Sequence, residues 1–396
     1  MTNPSQAQTT EVPPKARTAA FVRLCNRPIP RVLRMMLAAQ ELGMTPKFVG
    51  AFREEGLSKH DKWDNWEVER IGPYFPLVNG TRPLLYLWSV FRFGLATFFH
   101  LMKTKPDLVH ASEFEAFWAC RWYGWLKRKP VIFNIHDNLG QRYNCAPWIA
   151  AVLNFFEGLA TSAATITTAP EEFRRTALPK FCQKNLIVVK NAPIDPGYSD
   201  IPERESEDVK VFYGGWIDAG RGIKPLTEMI ANCSESSLRL AGEGGAELVD
   251  YAKSQVRVDF LGYLNHKEVI AETAACDFVA AFYDPIRPIN RFAASNKIAE
   301  TLAVGRPLLI NSEQEIAGLL RKYDCAVIVD YSDVTGLGPA LKELRLDTER
   351  YEGMCRRARQ AYDEHYAWPI IWAAMMKLYA AAGITNDNPP PPTTTN

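Results

Sequence analysis

The sequence holds no Cys-x-x-Cys pair, and its eight cysteines are scattered singly from Cys25 to Cys355 without an even spacing. That pattern excludes a disulfide-stapled scaffold, and the thiols read as reduced, mostly buried small apolar residues of a reducing compartment. His, Cys and carboxylate residues never cluster at metal-ligand spacing, so no bound metal is expected. Two phosphate-binding signatures are also missing. There is no GxGxxG to mark a dinucleotide site and no GxxxxGK[ST] to mark a P-loop, which counts against a dehydrogenase and an ATPase. The opening MTNPSQAQTTEVPP has no apolar core and does not read as a signal peptide. Together with the terminal PPPPTTTN it is expected to be disordered. Net charge of one sign is lacking too, with 46 Lys and Arg against 45 Asp and Glu.

What is present is the composition of a folded globular protein. The 396 residues are 47% hydrophobic and 23% charged, enough chain for two ordinary cores. The near-zero net charge hides an asymmetry, because residues 15–130 carry 19 Lys and Arg against 10 Asp and Glu. Such an excess is either a plain solvated surface or an attraction for anionic lipid or a phosphate-bearing acceptor. It is too diffuse, and lacks the motifs, for nucleic acid. Residues 84–102, LLYLWSVFRFGLATFFHLM, approach the length of a membrane span, but Arg92 sits at their middle. A mid-bilayer Arg costs roughly 2.5–3.5 kcal/mol on insertion scales, so a buried or partly buried helix is the favoured reading. An interfacial helix is the next, suited by the aromatic content and by Lys103 and Lys105. A true span is the least supported.

The remaining pattern alternates strand and helix. AAFVRLC (19–25) is a short apolar run ending in Asn26, Arg27 and Pro28. A helix is expected over 31–42, stopped by Gly43, with TPKFVGAF as the next strand. Strands are expected at 107–111, 131–135 and 164–168 with helices between, and LIVVKN closes the first half near Asn191. Residues 192–208, with three prolines and mixed charges, read as a linker. The second half repeats the order through VKVFYGG, LRLAGEG, VRVDFLGY, DFVAAFY, RPLLIN and CAVIVD, ending in a helical region over 351–380. Each half is therefore expected to be a doubly wound α/β domain, with ligands at the carboxyl ends of its strands and the cleft between the domains as the natural site.

Candidate chemistry gathers at those strand ends. Ser295-Asn296-Lys297 opens a helix, with Ser295 as a plausible N-cap. Free backbone N–H groups, the helix dipole and the Lys297 ammonium would suit a pyrophosphate. Glu300, one turn on, could accept from both hydroxyls of a ribose; the bland alternative is a cap plus a surface i,i+3 ion pair. Gly214-Gly215 end a strand, and Arg221 follows with a multi-donor fork; small residues let backbone amides approach an anion closely. Gly244 belongs to a second glycine cluster. His136, just after a buried strand, is placed to hydrogen-bond a substrate oxygen, with Asp137 either orienting it or satisfying a loop backbone. A histidine simply packed at a strand end is the alternative.

VFYGGW…RGIKPL, LRLAGEG, VDFLGYLNHKEVIAETAACDF and above all SNKIAETLAVGRPLLIN resemble the GT-B fold retaining glycosyltransferases called family 4, or glycosyl transferases group 1, over residues 18–382. Pro30-Arg31-Val32 and Asn191-Ala192-Pro193 are placed as in bacterial surface-polysaccharide members. The resemblance implies two Rossmann-like doubly wound domains facing across a cleft. An acceptor-side domain would span 18–191, a nucleotide-sugar domain 209–360 and a closing helix 361–382, with tails at 1–17 and 383–396. It implies Arg221 and Lys297 on the donor diphosphate, Glu300 on the ribose, His136 on the transferred sugar, and Asn26-Arg27-Pro28 facing the acceptor. Gly214, Gly215, Gly244, Ser295 and Asn296 complete the expected donor site.

The implied activity moves a sugar from a UDP- or GDP-sugar to a glycan or lipid-linked acceptor in surface polysaccharide biosynthesis, with retention. The nucleotide sugar is a co-substrate, and no metal or other cofactor is required. The expected location is cytoplasmic, with inner-face membrane lipid as a further partner and no nucleic acid. Two departures stand out. The family's paired glutamates are usually separated by seven residues, but the position eight before Glu300 is Phe292, leaving Asn290, Ser295, Asn296 or backbone groups to serve there. Trp216 stands where an Arg is usual, and Arg221 replaces the commoner Lys. These departures keep a non-catalytic nucleotide-binding scaffold as an alternative, and a nucleotide-sugar epimerase is another.

Overall fold

The computed structural model describes residues 17–75, 83–143, 145–193, 195–198 and 208–385. Most of both expected tails, and most of the expected linker, lie outside the described residues. The strands fall into two sheets, ordered β3-β4-β2-β1-β5-β6-β7-β8 and β11-β10-β9-β12-β13-β14. By compactness the described chain divides into residues 17–132 with 383–385, and residues 133–382.

In the first unit the order is β1 (Arg17–Val22), α1 (Pro30–Glu41), β2 (Met44–Phe52), β3 (His60–Trp63), β4 (Trp66–Tyr74), α2 (Pro83–Thr104), β5 (Leu108–Ser112) and α3 (Phe114–Lys127), and β6 (Val131–Asn134) begins at its end. β1 pairs in parallel with β2 and β5, as the strand–helix–strand reading anticipates. α1 starts with Pro30 and buries Val32, Met35, Met36 and Ala39 at helical spacing. It stops at Gly43, whose φ of +73° is the left-handed conformation that ends helices. The β3–β4 hairpin was not anticipated. β3 is exposed along its whole length, so it carries no alternating apolar signal. Its turn is marked only by Asp64 at φ +52°. The Asn26-Arg27-Pro28 loop is pinned from this side: buried Arg70 donates to Asn26 O at 2.9 Å, and the Arg27 guanidinium lies 4.7 Å from the Trp63 ring.

α2 is partly buried, within the buried or partly buried reading favoured by the sequence, but it is not a surface helix of ordinary composition. It buries one stripe, Ser89, Phe93, Thr97 and Leu101, and exposes apolar residues on the opposite face, Leu84, Trp88, Phe91, Leu95 and Phe99. Arg92 lies over the Phe75 ring at 5.9 Å. Among the described residues α2 alone is long and apolar enough to cross a membrane on length and composition.

The second unit runs through α4 (Leu139–Arg142), α5 (Pro147–Ala163), β7 (Ile166–Ala169), α6 (Glu172–Thr176) and β8 (Leu186–Val188). It continues with β9 (Val209–Gly214), α7 (Ile223–Ala231), β10 (Ser236–Ala241), α8 (Ala246–Lys253), β11 (Val258–Gly262), α9 (His266–Ala275) and β12 (Phe278–Ala281). Next come α10 (Pro288–Arg291), α11 (Asn296–Ala303), β13 (Leu308–Asn311), α12 (Ala317–Tyr323) and β14 (Ala326–Val329). The chain closes with α13 (Gly338–Leu346), α14 (Thr348–His365) and α15 (Trp368–Ala381). The helical region expected over 351–380 is thus two helices, broken before Trp368-Pro369. All five pairings in the β9–β14 sheet are parallel. The strand sequence reverses between β9 and β12, and in such sheets ligands bind outside the carboxyl ends at that reversal.

One buried titratable group gives the first unit a pH signature. His110 of β5 is fully buried, stacks on Phe21 with centroids 4.4 Å apart, and burial pushes its pKa down to about 3. An unfolded histidine titrates near 6.5, so below that pH the unfolded state binds the extra proton and stability is lost as pH falls towards 3. Between pH 7 and pH 5 the wild type should lose about 2 kcal/mol more stability than His110→Phe, which keeps the stack. Denaturant unfolding at the two pH values checks this; equal losses would contradict it.

Candidate active site

The carboxyl ends of β9 and β12 flank the strand reversal, and the sequence places its candidate residues there. Beyond β9 the chain runs backbone against backbone with the end of β10. Gly215 N–H donates to Ala241 O at 3.0 Å, and Ile217 N–H to Glu243 O at 2.8 Å. Gly242, at φ +138°, has no room for a side chain, since an added Cβ would fall 1.8 Å from Gly215 O. At Gly244 it would fall 2.0 Å from Ile217 O, and at Gly214 2.8 Å from the Phe212 ring. Gly214 and Gly244 are therefore small because protein packs on them. Gly215 differs: the nearest atom to an added Cβ is Lys297 Cε at 3.9 Å.

Lys297, in the first turn of α11, points back into this corner. It is buried, donates from Nζ to Ala280 O at 3.1 Å, and holds its ammonium 3.5 Å from the centre of the Tyr213 ring. Tyr213 is fixed in turn by donating to Trp216 O at 2.7 Å. Burial, reinforced by the positive charge of Arg221 and only partly offset by Glu300, pushes the Lys297 pKa well below the ordinary lysine value. The expected alternative of a surface Lys297–Glu300 ion pair is not formed. Glu300 faces His266 instead, with Nε2 and Oε1 3.1 Å apart. His266 was not anticipated. The Asn265–Glu268 capping box places it in the first turn of α9, but nothing in the sequence brings it to a residue 34 positions on.

Arg221 is set by loops tied to one another. Asp218 accepts from Gly220 N–H at 2.8 Å and from Arg287 at 2.7 Å. Gly220 O accepts from Asp284 N–H at 3.0 Å and from buried Asn290 at 2.9 Å. The Arg221 guanidinium lies over the Tyr283 ring at 4.7 Å. Asn290, a candidate to replace the missing carboxylate, spends its amide group on Gly220 O and Asp284 O, so its role is to brace this turn. Ser295 does stand at the N-cap of α11, but its side chain makes no cap hydrogen bond; Ile298 N–H closes the turn onto Ser295 O at 3.2 Å. Asn296 is half-buried in the first turn. Phe292 packs against Phe173 with centroids 6.2 Å apart, an apolar contact where a carboxylate was expected.

His136 belongs to another cluster, half-buried on the turn between β6 and α4. Asp137 does not serve as a loop-backbone cap here; it takes the ion pair of fully buried Arg174 at 2.5 Å. Arg174 also donates to Gln141 at 2.8 Å, and Glu157 accepts from Leu139 N–H at 3.1 Å. This network fixes the turn that carries His136.

A cavity of about 190 Å³ opens beside Gly215 and Gly242, walled by Trp216, Glu243, Tyr263 and Leu264. A larger one, about 360 Å³, is edged by Asp195, Arg306 and Arg359, but Arg359 is already ion-paired with Asp195. Among the described residues no group of three His, Cys, Asp or Glu is placed to hold a metal.

Residues 28–192 match the family described as "Glycosyl transferase 4-like domain". Glycogen synthase of Mycobacterium tuberculosis is 22% identical over 303 residues, 70% of this chain and 69% of that protein. Sucrose-phosphate synthase from Thermosynechococcus elongatus superposes with a TM-score of 0.72 at 16% identity, covering 92% of this chain and 98% of that one. Anabaena HepE, crystallised in complex with UDP-glucose, gives 0.66 at 15% identity, with 92% and 99% covered. The protein has the two-domain GT-B fold.

The packing at the end of β10 can be checked directly. Gly242→Ala should destabilise by at least about 1–3 kcal/mol, the cost of a strained backbone conformation, before the clash with Gly215 is counted. Gly336→Ala, exposed with open space around it and no left-handed φ, should stay within about 0.5 kcal/mol of wild type. Equal unfolding midpoints for the two variants would refute the close approach.

Proposed function

We propose that the protein is a retaining glycosyltransferase that moves a sugar from a UDP- or GDP-sugar to a glycan or lipid-linked acceptor in surface polysaccharide synthesis. The observation that carries this reading is the cationic corner at the strand reversal. Lys297 and Arg221 lie close enough for one charge to depress the other, and among the described residues neither is in a salt bridge. A diphosphate would answer both. The donor side is then residues 209–360, with the nucleoside in the cavity walled by Trp216 and Tyr263 and its ribose on Glu300. Residues 18–191 form the acceptor side, joined to it by 192–208.

In the reaction the bond from the sugar anomeric carbon to the diphosphate oxygen breaks while the acceptor oxygen bonds to that carbon. The acceptor's proton passes to a phosphate oxygen, and His136 contacts the sugar. Negative charge grows on the leaving diphosphate, so Arg221, Lys297 and the amino end of α11 stabilise the transition state more than the ground state. Support for the class comes from the family 4-like domain and from relatives that include a glycogen synthase and a protein crystallised with UDP-glucose.

The cytoplasmic protein would work peripherally on inner-face membrane lipid. The exposed face of α2 supports this, as do Trp118, Trp122 and Trp125 on α3. α2 packs against α3, with Tyr86 hydrogen-bonded to Glu115 and an added Cβ at Gly94 3.9 Å from Ala119. These pairs advance in the same sense along both helices, so the exposed Lys103 and Lys105 share an end with Lys127 and Arg128. The only carboxylate on either helix, Glu115, is buried.

Lys297→Ala should lower turnover roughly 10²–10³-fold, the scale of deleting an electrostatic donor from a preorganised site. It should also weaken the nucleoside diphosphate while leaving the plain nucleoside unaffected. Glu300→Gln should weaken both. Calorimetry with UDP and uridine, or GDP and guanosine, separates the roles; unchanged diphosphate affinity in Lys297→Ala would refute the assignment. Product analysis with nucleotide sugars and membrane lipid extract tests the activity. Binding without turnover would favour the scaffold reading that Phe292 motivates, and a donor altered without acceptor would favour an epimerase.

A further inference from the structure

α5, in the second unit, carries an apolar face that neither the fold nor the donor site uses. Trp148, Val152, Phe155, Phe156 and Leu159 recur at i, i+4, i+7, i+8 and i+11, and they are exposed by 37% to 70%. A helix at a water surface normally places charged residues on that face. Here the one ionisable residue of α5 is Glu157, and it is buried on the opposite side, accepting from Asn138 and Leu139. Phe181 extends the face, 56% exposed and 6.0 Å from Phe155 between ring centroids. Its placement is built in, since Gly158 has no side chain and an added Cβ would lie 3.1–3.2 Å from Pro179 and Phe181.

Charge decides the occupant. Lys180 and Lys184 are exposed on either side of Phe181. Residues 145–190 contain three carboxylates: Glu157 and Glu171 are buried, and Glu172 is ion-paired with Arg175. The apolar ridge is thus bordered by lysines, and within this stretch no acid is left uncompensated. A Trp- and Phe-rich ridge with a cationic border matches the interface of an anionic bilayer, where rings enter the acyl boundary and lysines meet lipid phosphates. We propose that α5 and Phe181 form a second membrane contact, within the acceptor-side residues 18–191, in addition to the α2–α3 face. The proposal rests on the peripheral reading above and adds this second lipid-touching face to it.

The test uses the whole protein and sedimentation with phosphatidylcholine vesicles, with and without phosphatidylglycerol. Phe155→Ser with Phe181→Ser removes apolar surface that is already solvent-exposed, and should lower partitioning onto anionic vesicles by roughly tenfold or more. Lys180→Glu with Lys184→Glu should reduce the dependence on phosphatidylglycerol. Trp148→Phe should remove part of the fluorescence quenched by brominated lipid. Trp88→Ser with Phe91→Ser reports on α2 in parallel. If the α2 variant loses binding while the α5 variants partition like wild type, this inference falls and the peripheral reading stands. Wild type that binds neither vesicle overturns both. Loss of self-association in the α5 variants, with vesicle binding unchanged, would make the face a contact between copies and likewise overturn the inference.

Discussion

A lysine buried without an acid partner is the constraint on which the strand-reversal corner of the second sheet depends. Removing an ammonium from water is costly, and a neighbouring guanidinium raises the cost further. The fold offsets part of it with a carbonyl and an aromatic face, Ala280 O and Tyr213, both supplied by the central strands β9 and β12. Neither neutralises the charge. On the function proposed above, the arriving diphosphate would relieve these unfavourable electrostatics, as anions do in preorganised sites.

Much of the surrounding structure makes sense as what keeps that corner rigid. The β9 and β10 ends lie too close for any side chain at Gly242 or Gly244. Asn290 and Asp218 tie the 218–221 turn to the 284–290 loop, so Arg221 cannot drift from Lys297 without breaking several hydrogen bonds. Gln314 and Asn311 do the same for the end of β12, through Ala281 O and Tyr283 N–H. These braces are polar side chains serving backbone groups through hydrogen bonds that satisfy those groups, although the buried Gln314 Oε1 itself has no partner.

Patterns set by local periodicity were legible in the sequence. Alternating apolar strands and amphipathic helices gave the parallel sheets, and strand-end position marked Lys297, Arg221 and the glycines. Contacts between distant segments were not. Glu300 reaching His266, Asp137 reaching Arg174 and Phe292 reaching Phe173 each join residues dozens of positions apart, and no spacing rule encodes them. Ser295 shows the converse limit, since the right residue at the right cap position makes no cap hydrogen bond. The polar β3–β4 hairpin was missed, and the burial of α2 was left between two readings, for one reason. Hydrophobic patterning reports burial, and here an exposed strand is polar on both faces while an exposed helix face is apolar.

The central claim proposed here is that Lys297, whose pKa burial and Arg221 push down, binds a diphosphate. Calorimetric titration with UDP in two buffers of different ionisation enthalpy, at alkaline pH where UDP's own phosphates stay fully ionised, reads the protons exchanged on binding. An anion beside Lys297 favours its charged form, so wild type should take up a fraction of a proton and Lys297→Ala should take up none. Tight UDP binding with no proton uptake in wild type, or the same uptake in the variant, would contradict the account.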